Sequence, residues 1–452
     1  MTRAERHGRW IDYWEPEDEA FWEAGGRRVA TRNLWFSIFA EHIGFSVWVL
    51  WSVLVLFMGP EYGLDSADKF LLVALPSLVG ALLRVPYTFA VAVFGGRNWT
   101  VISAGLLLVP TVLAGMVLEP GVSLSTLLVV AALAGLGGGN FASSMTNINT
   151  FYPERLKGTA LGLNAGGGNI GVAVVQLVGL AIIALAGSGA PLLLLAVYIP
   201  VIVIATACAA QFMDNLSSVR NDTGAAKEAL SDRQLWIMSL LYIGTFGSFI
   251  GYSFAFGLVL QSQFDRTPLQ AAAVTFIGPL LGSLIRPVGG ALSDRIGGTR
   301  VTLVTFLAMA AGTAVILVAS AYESLPLFTA GFIALFVLSG IGNGSTYKMI
   351  PGIYRAQADA AIAAGEPAEP ALLRARRVSG AAIGIISAVG ALGGVFINLA
   401  FRQSFQVTGS GAAAFWSFLA CYAVCAVVTY AVYLRAPAAS PQAANQPQYQ
   451  TV

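Results

Sequence analysis

The chain has 452 residues, of which 56% are hydrophobic and only 11% are charged, and its formal net charge is +2. A typical soluble domain carries about 25% charged residues, so the composition excludes a soluble enzyme and predicts a polytopic membrane protein. All three cysteines lie in apolar runs, which favours packing roles over a disulfide or metal ligation. Because no nucleotide, nucleophile or metal motif is convincing, we expect no enzymatic activity, cofactor, metal or nucleic-acid partner.

Twelve apolar runs are long enough to form membrane-spanning helices, which need about 20 residues each. The first six lie at about 34–58, 69–94, 99–118, 122–151, 158–187 and 190–213. The second six lie at about 233–260, 268–292, 300–321, 326–350, 378–402 and 412–434. The pattern predicts an all-α membrane protein with two six-helix bundles, at 34–213 and 233–434.

Three polar segments flank or separate these bundles. Residues 1–33 are predicted to form a cytoplasmic N-terminal segment, residues 214–232 a cytoplasmic linker, and residues 435–452 a disordered cytoplasmic tail. Of the 25 lysines and arginines, 19 fall on the side of both termini, three on the opposite side and three within spans. Because lysine and arginine favour the cytoplasmic side, we expect a monomeric, multi-pass protein of the inner membrane with both termini in the cytoplasm.

Arg84 lies inside the second apolar run, where a charge is unusual. A charged residue near the bilayer centre costs at least about 2.5–3.5 kcal/mol on insertion scales, so an intramembrane arginine indicates a functional site. Arg286 lies inside the eighth run in the same way, and a Gly-Gly pair follows each arginine 11 and 12 residues later. Two membrane-buried cations at matching places in the two halves predict a permeation site for an anion.

The two halves repeat beyond the arginines. The fourth run contains GLGGGNFASS and the tenth contains GIGNGSTYKM, with three glycines in register, and the glycines of the fifth and eleventh runs also align. Internal repeats are typical of secondary transporters, whose substrate site lies near the midplane, and glycines allow helices to pack closely. We therefore predict packing or gating roles for Gly166, Gly167, Gly168, Gly171, Gly390 and Gly393.

Several polar and aromatic residues are expected at the same depth as the arginines. At 1.5 Å per residue they lie roughly 14–20 Å from the cytoplasmic ends of their runs, close to half of a hydrocarbon core about 30 Å thick. Helix packing or interhelical hydrogen bonds would also explain the asparagine and the aromatic residues. The residues expected near one layer are Arg84, Phe141, Asn169, Tyr242, Phe246 and Arg286.

Several long stretches of the chain have a specific sequence. They include WEPEDEAFWEAGGRRVATRNLW (14–35), ALPSLVGALLRVPY (74–87), GGGNFASSMTNINTFYP (137–153), GTALGLNAGGGNIGV (158–172) and LWIMSLLYIGTFGSFIGYSFAF (235–256). These stretches resemble the nitrate/nitrite porters of the major facilitator superfamily. The segment GGALSDRIGGTR (289–300) resembles the superfamily's loop motif G-x-L-x-D-R-x-G-x-R, with one extra residue before Arg300, and an Asp294/Arg295/Arg300 charge network is expected there. The counterpart VAVFGGRNWT, after the second run, lacks the aspartate.

The resemblance implies the twelve-helix major facilitator fold and three kinds of contact with nitrate or nitrite: an arginine clamp, extra hydrogen-bond donors and aromatic walls. These roles fall, in turn, on Arg84 and Arg286, on Asn169 and Tyr242, and on Phe141 and Phe246. The chemistry agrees, because a guanidinium fork matches paired oxygens and aromatic rings suit the faces of a flat anion. Ala165 departs from the family signature, which has a glycine early in this run.

The two arginines also affect the transport mechanism, which for such a carrier is alternating access. An empty site with two arginines resists closure, because both cations would be desolvated together. A bound anion relieves this cost, so the loaded form reorients more easily. We therefore expect nitrate/nitrite exchange across the membrane.

Two alternatives remain open on sequence alone. Glu41 and His42 form the only titratable acid/base pair inside a run, so they either stabilise the structure or couple proton movement to nitrate symport. A nitrate-sensing receptor on a transporter scaffold would bind the anion without moving it. Lys348, near the end of the tenth run, either reaches the membrane interface or guides anions.

Overall fold

The computed structural model describes residues 6–435 and is almost entirely helical. Within these residues, twelve helices are long and apolar enough to cross a membrane, which confirms the predicted architecture. Spans 1 to 6 are Glu19–Phe57, Ser66–Phe94, Gly96–Val117, Leu124–Phe151, Glu154–Ala186 and Pro191–Phe212. Spans 7 to 12 are Arg233–Phe264, Pro268–Ile296, Gly298–Ala321, Leu325–Ala363, Ala368–Thr408 and Ala412–Leu434. The predicted disordered tail lies outside the described residues from position 436 onward.

Several spans are longer than the apolar runs that predicted them. Span 1 begins at Glu19 rather than near residue 34, and span 11 covers Ala368–Thr408 rather than 378–402. An apolar run marks only the part of a helix suited to hydrocarbon, whereas the backbone hydrogen bonds continue into polar sequence. A π-helical turn at Trp22–Gly26 interrupts span 1, and Gly25 has a φ of 153°, which favours glycine.

The chain forms two compact units. The first comprises the residues up to Asn221 together with Arg266–Phe276, and the second comprises Asp222–Asp265 and the residues from Ile277 onward. Outside the spans, a 3₁₀ turn at Pro60–Tyr62 lies in the first unit and a linker helix at Thr223–Ser231 lies in the second. Each unit thus contains its own part of the predicted linker, and the beginning of span 8 belongs to the first unit.

Glycines bring spans 1, 2 and 4 of the first unit into close contact. A Cβ atom at Gly137 would lie 2.2 Å from the backbone oxygen of Gly44, and one at Gly138 would lie 2.7 Å from the Cα atom of Gly80. Contacts this short are possible only without side chains. Small residues at such crossings are the usual means by which membrane helices approach each other.

Spans 8 and 10 of the second unit cross in the same way. A Cβ atom at Gly340 would lie 2.2 Å from the backbone oxygen of Gly282, and one at Gly289 would lie 2.2 Å from the oxygen of Ile341. The neighbouring Gly290 has no atom within 4 Å of the corresponding position. Gly289 is therefore required for the packing of spans 8 and 10, whereas Gly290 is not.

The N-terminal segment folds onto the first unit. Strands β1 (Arg6–His7) and β2 (Trp10–Ile11) pair antiparallel, and β2 pairs in parallel with β3 (Asn215–Leu216). The sequence did not predict this small sheet, because two-residue strands carry no periodic pattern. Trp14 and Trp22 are buried in an apolar cluster with Phe151 from the end of span 4, which fixes the segment in place.

Asp214, the first residue of the predicted linker, is fully buried beside this sheet. Its carboxylate accepts hydrogen bonds from Arg32 and, at 3.1 Å, from Nδ2 of Asn33, and Nη1 of Arg9 lies 3.7 Å away. Its backbone N–H donates to Oδ1 of Asn33 at 2.8 Å. A buried carboxylate is stable only when it is paired and hydrogen-bonded, so the start of the linker is a fixed part of the first unit.

The linker helix is held within the second unit by another ion pair. Asp222 caps the helix by accepting from the backbone N–H of Ala225 at 2.8 Å, and Arg377 donates to both of its carboxylate oxygens at 2.5 and 2.9 Å. The hydrogen bond from Arg377 lowers the pKa of Asp222 to about 2. Because the folded-state pKa is depressed, this contact is present at neutral pH and is lost only as the pH falls toward 2.

The loop between spans 8 and 9 differs from the network expected there. Asp294 pairs with Nζ of Lys348 in span 10 at 3.0 Å. Among the described residues, no ion pair joins Asp294 to Arg295 or Arg300, so the predicted partners were wrong. Lys348 lies 54 positions further along the chain, and only the packing of spans 8 and 10 brings its ammonium group to the loop.

We expect a Gly289→Ala substitution to destabilise the protein by about 1–3 kcal/mol, because overpacking at this crossing must push two backbones apart. The matched control is Gly290→Ala, which adds the same methyl group one residue further along the same helix. Thermal unfolding of both purified variants in detergent measures the difference. Equal midpoints for the two variants would contradict the packing described here.

Candidate functional site

Arg84 lies in span 2 and is completely buried. Its guanidinium carbon lies 4.6 Å from the ring centroid of Phe141 and 5.4 Å from that of Trp48, both within cation–π range. The structure thus brings together two predicted site residues, Arg84 and Phe141, and adds Trp48. An arginine cannot lose its proton to escape burial, so these rings help to stabilise a permanent cation.

Trp48 is held in position by its neighbours in the first unit. Its indole Nε1 donates to the backbone oxygen of Pro76 at 2.7 Å. A Cβ atom at Gly80 would lie 2.3 Å from the same nitrogen, so the ring requires a glycine on span 2. Nothing in the sequence distinguishes Trp48 from the nearby Trp51, so this contact was not predicted.

Asn169 in span 5 is also buried. Its Oδ1 atom has no hydrogen-bond partner among the described residues, so this buried acceptor is unsatisfied. Leaving such a group unpaired costs about 1–3 kcal/mol, and the amide Nδ2 is the atom of Asn169 that could donate to an anion.

The glycines of span 5 pack against span 1, with one exception. A Cβ atom would lie 2.4 Å from Cγ2 of Ile38 at Gly167, 2.2 Å from Oε1 of Glu41 at Gly168, and 2.2 Å from the backbone oxygen of His42 at Gly171. Gly166 has no atom within 4 Å of its corresponding position among the described residues. Of the four predicted glycines in span 5, three therefore lie at a close contact with span 1 and Gly166 does not.

Glu41 and His42 make hydrogen bonds to different partners in span 5. Oε2 of Glu41 accepts from Nδ2 of Asn164 at 2.7 Å, and the same nitrogen lies 2.6 Å from Oγ of Ser144. Nδ1 of His42 lies 3.1 Å from the backbone oxygen of Gly167. The buried carboxylate therefore belongs to a polar cluster with Asn164, which sequence reasoning missed because its partners lie on three different spans.

Arg286 in span 8 is buried in the second unit. Its Nη2 donates to the hydroxyl oxygen of Tyr242 at 3.2 Å, and its guanidinium carbon lies 5.6 Å from the ring centroid of Tyr347. Nη1 has no hydrogen-bond partner, and Arg286 has no carboxylate partner, among the described residues. A guanidinium with a buried, unsatisfied N–H and no counter-charge is suited to receive an anion.

Tyr242 and Phe246 form an aromatic wall beside this arginine. Their rings are stacked with centroids 5.2 Å apart and planes 11° from parallel. The backbone between them forms a π-helical turn at Ile243–Gly247. Such turns are rare and occur frequently at functional sites. The two rings therefore lie on the same face of span 7.

Glycines of span 11 set the position of this wall. A Cβ atom at Gly390 would lie 2.4 Å from Cδ1 of Tyr242, and one at Gly393 would lie 2.6 Å from the Cα atom of Gly247. The tyrosine that supports Arg286 thus rests on a glycine in a different span. These contacts supply a packing reason for the two glycines that the repeat predicted.

We expect Gly390→Ala to impair anion transport by displacing the Tyr242 ring from Arg286. The matched control is Gly380→Ala in the same helix, where no atom lies within 4 Å of the added methyl group. Transport rates and anion affinity in proteoliposomes would check this, with a loss of at least about tenfold expected for Gly390→Ala from roughly one lost hydrogen bond to a charged group. Wild-type behaviour of Gly390→Ala would show that the tyrosine can shift without consequence.

Twelve membrane-crossing helices in two units, each with a buried guanidinium among aromatic rings, define a membrane transporter. Residues 34–397 match the family model of the Major Facilitator Superfamily. The chain is 40% identical to the nitrate/nitrite transporter NarU of Escherichia coli, with 93% of this chain and 96% of that protein aligned. It is 32% identical to the probable nitrate/nitrite antiporter NarK2 of Thermus thermophilus, with 96% and 98% aligned.

The fold also agrees with a solved structure. The crystal structure of a D-xylose-proton symporter superposes with a TM-score of 0.64 at 15% identity, covering 89% of this chain and 97% of the symporter. At that identity the likeness shows the fold alone. The chain belongs to the nitrate/nitrite porter family of the major facilitator superfamily, and its relatives are transporters rather than enzymes.

Proposed function

We propose that this protein exchanges nitrate for nitrite across the cytoplasmic membrane by alternating access. The observation that carries the proposal is the buried guanidinium in each unit, with Arg84 against aromatic faces and Arg286 against a tyrosine hydroxyl. Nitrate and nitrite remain anionic near neutral pH, so fixed positive charge is needed to bind them. The names of the relatives NarU and NarK2 support the same substrates.

In this proposal the two arginines hold the anion through bidentate hydrogen bonds. Asn169 and Tyr242 supply further polar contacts at its edge, and Phe141 and Phe246 pack against its faces. The stacked pair of Tyr242 and Phe246 is flat, as the ligand is, which supports this role. The glycines that hold these spans together would allow the helices to move as rigid elements.

We expect Arg84→Lys and Arg286→Lys each to reduce transport by about 10- to 150-fold. A lysine keeps the charge but lacks the planar fork, and losing one hydrogen bond to a charged group costs about 1.5–3 kcal/mol. Uptake of labelled nitrate into proteoliposomes would measure the loss. Arg355→Lys, which alters an exposed pair with Asp359, is the control. Near-normal uptake by either buried-site variant would remove that arginine from the proposed clamp.

Exchange is favoured over uptake of the anion alone by the desolvation argument. An empty carrier would have to desolvate two cations together when it closes, whereas an anion offsets their charge. The second candidate is proton-coupled nitrate symport, which is favoured by the burial of Glu41 within its polar cluster. The two mechanisms differ in what drives uptake.

We expect uptake of external nitrate to require nitrite or nitrate inside the vesicle and to be indifferent to an imposed pH gradient. Proteoliposomes loaded with nitrite, loaded with an inert anion, or given an inward proton gradient would distinguish these conditions. Uptake into vesicles without internal substrate, driven by the proton gradient and abolished by Glu41→Gln, would instead establish symport. Binding without flux under every condition would indicate a sensor.

We also propose that both termini lie in the cytoplasm and that the protein acts as a monomer in the inner membrane. The distribution of lysine and arginine supports the orientation, since 19 of 25 fall on the side of the termini. The Asp214 cluster, with Arg9 and Arg32, would then lie at the cytoplasmic face.

A further inference from the structure

An open groove of about 480 Å³ lies along the beginning of span 1, away from both buried arginines. Neither the repeat nor the transport site accounts for it. The groove is unusual because three of its lining residues are arginines and one is a large aromatic residue. Its lining residues are Glu23, Gly25, Arg27, Arg28, Thr31, Arg32 and Trp35.

The groove carries an excess of positive charge. Arg27 and Arg28 are exposed and take part in no ion pair among the described residues, whereas Arg32 is shared with the buried carboxylate of Asp214. Glu23 contributes the only carboxylate of the lining. Two guanidinium groups are therefore available for an anion that enters from outside the protein.

The shape of the groove follows from the π-helical turn at Trp22–Gly26. The helix is kinked within this turn, because Gly25 adopts a non-helical φ of 153° that a residue with a side chain rarely adopts. As a result, Glu23 and Gly25, which precede the straight part of the helix, line the same groove as Arg27 and Arg28.

The position of the groove along span 1 matches the headgroup layer of a bilayer. Trp35 lies at the start of the apolar run and is 59% exposed, as expected for a tryptophan at a membrane interface. Arg28 lies seven residues earlier, or about 10 Å along the helix. The headgroup layer on each side of the hydrocarbon core is roughly 5–8 Å thick. The backbone of the two arginines therefore lies just outside this layer, and their long side chains reach back into it.

We propose that this groove binds the phosphate headgroup of an anionic phospholipid such as phosphatidylglycerol. Arg27 and Arg28 donate to the phosphate oxygens, for which the guanidinium fork is well suited. Trp35 packs beside the glycerol and the first acyl carbons. Glu23 repels the anion and limits its affinity. The site is separate from anion transport and does not rest on the proposed exchange.

Native mass spectrometry of the purified full-length protein would test this with phosphatidylglycerol and phosphatidylcholine of matched acyl chains. Each arginine near an anionic lipid surface contributes about a fivefold increase in affinity. We therefore expect the double variant R27A/R28A to bind phosphatidylglycerol about 25-fold more weakly than wild type. Glu23→Gln should bind it more tightly. The control R220A/R376A removes the same total charge from exposed positions outside the groove, and should change binding less than twofold.

Three results would overturn the proposal. The first is unchanged phosphatidylglycerol binding in R27A/R28A with a wild-type unfolding midpoint. The second is equal binding of phosphatidylcholine by the wild-type protein, which would show that the lipid's charge is not recognised. The third is displacement of phosphatidylglycerol by millimolar inorganic phosphate, which would assign the groove to the free anion instead of the lipid.

Discussion

Burial of a cation that cannot be neutralised is the constraint on which the rest of the structure depends. Arginine keeps its proton under all physiological conditions, so the helices around Arg84 must compensate for the lost hydration. They do so with the faces of Phe141 and Trp48, and both rings reach the guanidinium only because glycines allow spans 1, 2 and 4 to approach closely. Helix packing in this unit is therefore arranged around the charge, and the same charge makes the site attractive to an anion.

The second unit meets the same constraint with different contacts. Arg286 donates a hydrogen bond to the hydroxyl of Tyr242, whereas Arg84 lies against ring faces. The Tyr242 ring in turn packs against Gly390 of another span. The ion pairs at the ends of the spans differ as well. Asp214 binds arginines in the first unit, whereas Asp294 binds Lys348 in the second. A repeat in sequence thus preserves the position of each charge but not the chemistry that supports it.

The linker is less free than its polar sequence suggests. Its first residues join a sheet with the N-terminal segment and bury Asp214, and its helix is fixed by the pair of Asp222 and Arg377. Each end is thus part of the unit next to it in the chain. A transporter that works by alternating access needs units that hold their shape, and these contacts outside the membrane contribute to that rigidity.

The sequence by itself determined the twelve spans and the two intramembrane arginines, because hydropathy and the presence of a charge within an apolar run are local properties. It also identified the family through long matching stretches. Only the tertiary structure decided that Trp48 and Tyr347 face the arginines and that Asn164 binds Glu41. These contacts join residues from different spans, and their free energies depend on helix crossings that no local pattern encodes. Gly166 was predicted on the same sequence pattern as Gly167 and Gly168, yet only these two lie in close contact with span 1.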